Sequence, residues 1–236
     1  MNKKIMRSVC LTATTLLILS FSVGIVSALP NDVLVEKTFI TYGPSYSANE
    51  AGTDAYDVYD YSGVHWKAGR VVSYSVNSYK APAGSVNAIK AGFETWDAQI
   101  GNKLFSDKVG TANRAASGSK FDRKNVISWG LLDSNIIAVT HVWYYVSTNE
   151  IVEFGMVFNS AFKWGIDADG DAGVPMADAF DVQNIATHEA GHTLMLLDLY
   201  EPEMSALTMF GYGGFGEIFA RSLGAGDISG VKSIYP

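Results

Sequence analysis

Residues 188–192 read His-Glu-Ala-Gly-His and constrain this chain more than any other segment, because their chemistry requires a helix. On a helix, residues four apart share a face, so the imidazoles of His188 and His192 would lie side by side and could share a metal ion. Glu189 lies about 100° further round, where its carboxylate would reach a water molecule beside the metal. Zinc lowers the pKa of such a water to roughly 7, and a neighbouring carboxylate can take its proton.

Two features downstream extend this motif. Asp198 follows the second histidine by six positions, and a segment reading Leu-Thr-Met-Phe-Gly-Tyr is centred on Met209. Together with the motif, these residues resemble the metzincin metalloproteases, and within them the matrixin-type peptidases, including short secreted prokaryotic forms. The resemblance implies that both motif histidines and Asp198 bind one catalytic Zn²⁺ ion. It also implies that Glu189 is the catalytic base and that Met209 supports the zinc site from below.

The resemblance covers residues 66–236. Upstream, three segments follow the family's first strand, first helix and next strand, namely residues 71–76, 85–101 and 125–129. Near the C-terminus, residues 221–235 resemble its last helix, whose aspartate, Asp227 here, packs against the methionine turn. The expected fold is therefore an α+β catalytic domain over residues 65–236. It has a twisted mixed β-sheet, two main helices, one of which carries the zinc motif, and a short C-terminal helix.

Two positions depart from the family pattern. Met195 replaces a glycine, and Asp198 replaces the third histidine. Glycine ends the helix easily because it accepts a left-handed conformation, which costs other residues roughly 1–2 kcal/mol. Either Met195 carries that strain or the helix ends by another route. Aspartate is an ordinary zinc ligand. In an alternative interpretation, Glu217 is the third zinc ligand, as in thermolysin-like proteases.

The N-terminal residues have the pattern of an export signal. Residues 2–7 are basic, residues 11–26 are mostly apolar, and small residues precede Leu29, so we expect residues 1–28 to be cleaved and the protein to be secreted. In the alternative, an uncleaved anchor holds the protein at the cell surface. The only cysteine is Cys10. The exported chain would therefore contain no disulfide, no thiolate to block zinc and no stable membrane insertion.

Charge limits the expected partners. The whole chain has 17 Lys and Arg against 24 Asp and Glu, and removing the three basic residues of the signal leaves a formal charge of −10. Such an acidic protein is not expected to bind nucleic acid or an anionic membrane. A protein or peptide substrate is the expected partner, and the sequence leaves the oligomeric state open.

Residues 29–64 are expected to be a leader or short pro-segment packed on the domain. An aspartate from this segment would block the zinc in a latent form, or else these aspartates are solvated loop residues, which composition favours. The candidates are Asp54, Asp57 and Asp60.

Local patterns predict the remaining elements. Ser85 should cap a helix that ends at Gly101, and Asp181 should cap the motif helix, which would end near Met195. The first helix should direct one stripe to the core, consisting of Val86, Ile89, Phe93, Trp96 and Ile100. Alternating residues predict strands over residues 70–76, 125–129, 136–146 and 151–159.

Two further motifs allow metal binding. Asp167, Asp169 and Asp171 alternate beside a glycine and could bind Ca²⁺, although a plain Asx-type turn is favoured because no bidentate glutamate follows. His141 lies near a structural-zinc histidine of animal matrixins, but the other ligands have no match. We therefore expect His141 to be a hydrogen-bonded strand residue.

The sequence thus predicts a secreted zinc endopeptidase whose substrate lies extended along residues 151–159 as an added edge strand. Tyr212 and Phe215 would line the pocket for a substrate side chain. The alternative is an exported binding or surface protein that kept the fold and lost turnover, which the changes at Met195 and Asp198 would explain. The presence of Glu189 argues against it, because a binding protein has no use for the base.

Overall fold

A mixed β-sheet with helices forms the described part of the chain. The computed structural model describes residues 32–43, 52–116, 120–167 and 177–236. Within them the strands are β1 (Leu34–Tyr42), β2 (His65–Trp66), β3 (Ser75–Val76), β4 (Gly110–Thr111), β5 (Val126–Gly130), β6 (Ile136–Tyr145), β7 (Glu150–Asn159), β8 (Trp164–Gly165) and β9 (Phe180–Asp181). The α-helices are α1 (Ser85–Asp97), α2 (Val182–Thr193) and α3 (Ala225–Ile234), with 3₁₀ turns at Pro202–Met204 and Phe219–Arg221.

The main sheet has seven strands in these residues. Its order is β1-β6-β7-β5-β3-β4, and β2 pairs with the start of β7. β6 runs antiparallel to both β1 and β7, and the other pairs are parallel. β8 and β9 form a separate parallel pair. The α+β class and the mixed sheet are therefore confirmed. The strand expected over residues 70–76 is limited to its last two residues.

β7 lies inside the sheet and not at its edge. It pairs with β6 on one side and with β5 on the other, and eight of its ten residues are buried. Apolar residues occur at both odd and even positions of this strand, as Ile151, Val152 and Phe154 show, so both faces are covered. The expectation that residues 151–159 form an edge strand for the substrate was wrong.

β1 is the longest element that was not predicted from the sequence. It lies within the segment expected to be a leader, and it pairs antiparallel with β6 over nine residues. The β-branched and aromatic side chains from Thr38 to Tyr42 are typical of a strand and could have indicated it. This part of the leader therefore contributes a strand to the sheet and belongs to the compact unit Asp32–Pro236.

α1 follows the predicted hydrophobic spacing, but it begins differently and ends at Asp97, before the expected Gly101. Gly84 is the N-cap, with φ of 89°, and the Ser85 hydroxyl donates backwards to the carbonyl of Pro82 at 2.7 Å. The expectation that Ser85 caps the helix was wrong, because glycine adopts the left-handed conformation at this position. The core-facing stripe is confirmed for Ile89, Phe93 and Trp96, which are fully buried, whereas Val86 is 37% exposed.

α1 packs directly against α2 and so helps to position the motif. Gly92 faces the backbone of Thr187, where a Cβ would be 2.9 Å from the amide nitrogen. The indole Nε1 of Trp96 donates to the carbonyl of Thr187 at 2.8 Å. Trp96 is therefore a structural residue, as expected, because its polar atom is used to hold the two helices together.

Some predictions fall on residues outside those described. They are the signal peptide, residues 1–28, and the acidic pair Asp169 and Asp171. Among the residues that the structure does describe, no helix is long and apolar enough to cross a bilayer.

Candidate metal centre

The start of α2 is held by a buried aspartate. Asp181 accepts a hydrogen bond from the backbone N–H of Asn184 at 2.7 Å, which confirms it as the N-cap. Arg221 donates to both Asp181 oxygens, from Nε at 2.8 Å and from Nη2 at 2.6 Å. Because a bidentate pair fixes both partners, the motif helix is anchored at its first turn to the C-terminal part of the chain.

The end of α2 has the conformation that the family glycine would adopt. The helix ends at Thr193, and Met195 has φ of 64° while remaining fully buried. The backbone N–H of Leu196 donates to the carbonyl of Gly191 at 3.2 Å, which closes the turn. The sequence left two alternatives open, and the structure shows the first of them. Met195 itself adopts the left-handed conformation and carries its strain. The chain can then turn back towards the motif.

Replacing Met195 with glycine should lower the free energy of unfolding, although glycine suits this backbone better. Strain relief contributes about 1–2 kcal/mol, but loss of the buried side chain costs about 2–5 kcal/mol. Met195→Ala loses the same packing and keeps the strain, so it should be the less stable of the two. Urea unfolding of both variants in the presence of a chelator tests this. A glycine variant more stable than the unsubstituted protein would show that the strain dominates.

Three potential ligand atoms converge beside α2. The Nε2 atoms of His188 and His192 are 3.1 Å apart. The Oδ1 atom of Asp198 lies 3.4 Å from the first and 3.3 Å from the second. Among the described residues, these three form a group that could hold a metal ion. The turn at Met195 therefore brings Asp198 to the two histidines, as the resemblance implied.

The hydrogen bonds of the two histidine rings suit a cation beside their Nε2 atoms. Nδ1 of His188 lies 2.7 Å from the carbonyl oxygen of Thr208, and Nδ1 of His192 lies 2.9 Å from that of Leu196. Because a carbonyl only accepts, each Nδ1 carries a proton, and the Nε2 atoms of the two rings are left facing each other. The Oδ1 atom of Asp198 is buried without a hydrogen bond. Three such atoms this close to one another could share a metal ion or a proton.

Without a metal, protons compete for the same atoms. Burial alone would lower the pKa of His188, but the Asp198 carboxylate outweighs it and raises the value to about 9. Burial likewise opposes ionisation of Asp198, yet the two histidines hold the pKa of this carboxyl well below its usual range. Metal binding must therefore displace a proton from His188.

Glu217 does not take part in this group. Its Oε2 accepts the backbone N–H of Gly214 at 2.7 Å, and burial raises the pKa of its carboxyl. It therefore holds the glycine-rich loop, and the interpretation that makes Glu217 a ligand has no support in the geometry.

Glu189 is fully buried and both of its carboxylate oxygens are hydrogen-bonded. Thr41 of β1 donates to Oε1 at 2.6 Å, and Thr140 of β6 donates to Oε2 at 2.5 Å. Neither threonine was identified from the sequence, because each lies far from the motif along the chain. One hydroxyl from β1 and one from β6 thus fix the orientation of this carboxylate.

The backbone of residues 208–209 helps to position His188. Asp227 of α3 accepts backbone N–H groups from Thr208 at 2.8 Å and from Met209 at 3.1 Å. The carbonyl of Thr208 is the acceptor for His188 Nδ1. The Met209 side chain lies against Gly191, where a Cβ would collide with its sulfur. Asp227 therefore positions the first histidine through the backbone of residues 208–209.

Replacing Asp227 with asparagine should weaken zinc binding about 10–100-fold, the usual effect of disturbing an outer-shell partner. The carboxylate also accepts the N–H of Gly224, and an amide cannot accept all three of these N–H groups. Asp97→Asn is the matched control, because Asp97 also accepts backbone N–H groups, from Leu104 and Phe105, far from the cluster. Both variants should lose stability, but only Asp227→Asn should lose zinc affinity in a competitive chelator titration. Equal zinc affinity in the two variants would remove Asp227 from the site.

Tyr200 lies closer to the cluster than the two aromatic residues selected from the sequence. Burial, followed by the charge and hydrogen bonding of Asp198, raises the pKa of Tyr200. The ring of Tyr212 packs edge-on against Tyr200, whereas Phe215 packs against Phe180 and is 46% exposed. Tyr200 lies two residues after Asp198, and that spacing was the available signal. It lines a cavity of about 390 Å³ together with Lys37, Phe39, Asp60 and Asp198.

The other candidates have structural roles. His141 contacts Thr38 at 3.1 Å and Glu36 at 2.8 Å, both on β1, as expected for a hydrogen-bonded strand histidine. Asp167 is buried, and its backbone N–H donates to Asp181. The aspartates of the expected leader are exposed, as predicted if they are solvated loop residues. They are Asp54, Asp57 and Asp60.

Comparison with known proteins does not assign the chain to a family. No protein-family model matches it, and no curated protein is significantly similar to it. Its function is therefore inferred from the residues and geometry of the metal centre.

Proposed function

We propose that the protein is a secreted zinc-dependent endopeptidase with a metzincin-like, matrixin-type catalytic domain. The observation that carries this proposal is the convergence of two histidine nitrogens and one carboxylate oxygen in a buried site. These three atoms lie 3.1–3.4 Å from one another. Glu189, next to the first histidine in sequence, supplies a second carboxylate that belongs to the motif but not to the ligand group.

The ligand set supports zinc as the metal. Two imidazoles and one carboxylate are a set that zinc accepts, and three protein ligands leave a fourth position for water or substrate. His188, His192 and Asp198 would hold the ion. When bound, zinc supplies a Lewis acid that polarises a carbonyl and brings the pKa of water to about 7.

Glu189 would act as the base and then as the acid. Its carboxylate takes a proton from the attacking water and delivers it to the amine that leaves when the peptide bond breaks. Thr41 holds Oε1 and Thr140 holds Oε2, so the water would replace one of these two hydroxyls as a partner of the carboxylate. Met209 and Thr208 would keep the first histidine in position. Tyr212 and Phe215 remain proposals for contacts with substrate side chains.

A second candidate is an exported binding or surface protein with an inactive protease fold. One observation favours it, namely that both oxygens of Glu189 are already hydrogen-bonded to threonines. Zinc content and cleavage of an unstructured protein, measured on the exported chain, decide between the two. A chain that holds one zinc ion but cleaves nothing would favour the inactive fold.

A further inference from the structure

A small cavity lies between the turn after β2, the residues that follow α1 and the end of α3. Its volume is about 240 Å³. Ile100, Leu104, Ile234 and Tyr235 contribute apolar walls. Of the described residues that line it, none belongs to the group of three metal ligands, and Glu189 is not among them either. The cavity is therefore separate from the candidate metal centre.

Hydrogen bonds between distant parts of the chain fix the walls of this cavity. The backbone N–H of Trp66 donates to the hydroxyl of Tyr235 at 3.0 Å. The indole Nε1 of Trp66 donates to the carbonyl of Thr193, the last residue of α2, at 2.9 Å. The N–H of Val72 donates to the carbonyl of Leu104 at 2.7 Å. The cavity is therefore formed before any ligand arrives, as small-molecule sites usually are.

Ile100 leaves apolar surface open to this cavity. In sequence it continues the apolar stripe of α1, but the helix ends at Asp97 and Ile100 is only half-buried. Covering apolar surface that is in contact with water is favourable. A ligand with an apolar body would cover the surface that the end of α1 leaves open.

Cationic side chains border the same cavity. Lys67 and Arg70 lie in the turn after β2, where the N–H of Arg70 donates to the carbonyl of Lys67 at 3.0 Å. The guanidinium of Arg70 lies over the ring of Trp66, 5.3 Å from its centroid, so the indole helps to hold it in place. Within the described ranges neither of these two cations forms an ion pair, whereas Lys103 is paired with Asp107.

The charge at this cavity is opposite to that of the chain as a whole. The chain has 17 Lys and Arg against 24 Asp and Glu, so an anion meets a mostly repulsive surface. No acidic side chain occurs among the described residues that line the cavity. Positive charge beside an apolar cavity is complementary to an anionic group that is attached to an apolar body.

We propose that this cavity binds a small monocarboxylate with an apolar body. Arg70 and Lys67 hold the carboxylate, and a guanidinium can do so by two parallel hydrogen bonds. The apolar walls cover the body of the ligand. An apolar cavity of about 150 Å³ holds benzene, so a cavity of about 240 Å³ suits one ring with a short side chain, or an alkyl chain of similar size. This inference does not depend on the proposed function.

Calorimetric titration of the protein with phenylpropionate and with octanoate tests the proposal. We expect saturable binding of at least one acid with a dissociation constant of about 1 mM or lower. The acid that binds more tightly shows whether the site prefers a ring or a chain. The amide of the same acid keeps the body but lacks the charge, so it should bind about tenfold more weakly or worse. Absence of saturable binding for both acids, or equal affinity of an acid and its amide, would overturn the proposal.

Three variants locate the bound acid. Arg70→Gln removes one charge beside the cavity, and Ile100→Phe fills the cavity while keeping both charges, so each should weaken binding about tenfold. Lys232→Gln is the matched control, because Lys232 is exposed on α3 and does not line the cavity, and its affinity should stay close to that of the unsubstituted protein. Thermal unfolding checks that each variant is folded. If Arg70→Gln or a folded Ile100→Phe binds the acid as tightly as Lys232→Gln does, the acid lies elsewhere, for instance on a metal ion at the candidate metal centre, and the proposal is wrong.

Discussion

Replacing Glu189 with alanine should abolish peptide-bond hydrolysis while leaving about one zinc ion per chain. The side chain is in the motif but outside the group of three ligand atoms, so its loss removes the base and spares the metal site. General-base catalysis contributes about 10²–10⁴-fold to a rate, so we expect a loss of at least that size. Initial rates on an unstructured protein and zinc content by mass spectrometry give the two measurements.

The rates should be compared with those of the unsubstituted protein. Glu153→Ala is the matched control, since Glu153 is a second buried glutamate and accepts the backbone N–H of Asp122 at 2.7 Å. Its loss should lower stability without changing the rate per bound zinc. Cleavage by Glu189→Ala at a rate comparable to its parent would contradict the proposed mechanism.

The parts of the fold that were predicted correctly depend on local sequence. The helical spacing of Ile89, Phe93 and Trp96 identified α1, and Asp181 identified the start of α2 within one residue. Strand bounds near residues 126–130 and 136–145 also followed from local alternation. Such patterns depend on neighbours within a few residues, and tertiary packing here agrees with them.

The pairing of strands could not be predicted in the same way. β1 and β6 are about a hundred residues apart in sequence, and nothing local indicates which edge β1 joins. For β7, the position was readable in principle, because apolar residues on both of its faces indicate an interior strand. Strand pairing depends on which apolar surfaces the rest of the sheet leaves uncovered. It is therefore a property of the whole sheet and not of a local segment.

The residues of the candidate site also fall into two groups, those that the sequence predicts and those that it does not. His188, Glu189 and His192 follow from the helical period, and Asp198 follows from the resemblance once Met195 has turned the chain. The residues that hold these groups come from distant elements, and no local pattern identifies them. They are Thr41, Thr140 and the carbonyl of Thr208.

The predicted consequence of Asp198→Ala is loss of zinc and of activity together. Two histidines and water form an incomplete zinc site, so the affinity should fall by more than the 10–100-fold typical of outer-shell changes. Removal of Asp198 also takes away the carboxylate that lies 3.3–3.4 Å from both Nε2 atoms. Chelator competition measures the affinity, and peptide cleavage measures the activity.

Two companion variants sharpen this test. Glu217→Ala should keep its zinc, because Glu217 bonds the backbone of Gly214 and lies outside the ligand group. Asp198→His supplies the commoner family ligand and should retain more zinc than Asp198→Ala, provided that the larger ring fits beside Gly211, whose Cβ position is already 3.1 Å from the Asp198 Cβ. The reverse pattern, with zinc lost in Glu217→Ala and kept in Asp198→Ala, would exclude the metzincin-like ligand set. The convergence of Asp198 with the two histidines would then be a structural ion pair, in which His188 holds the proton that its raised pKa, about 9, allows at neutral pH.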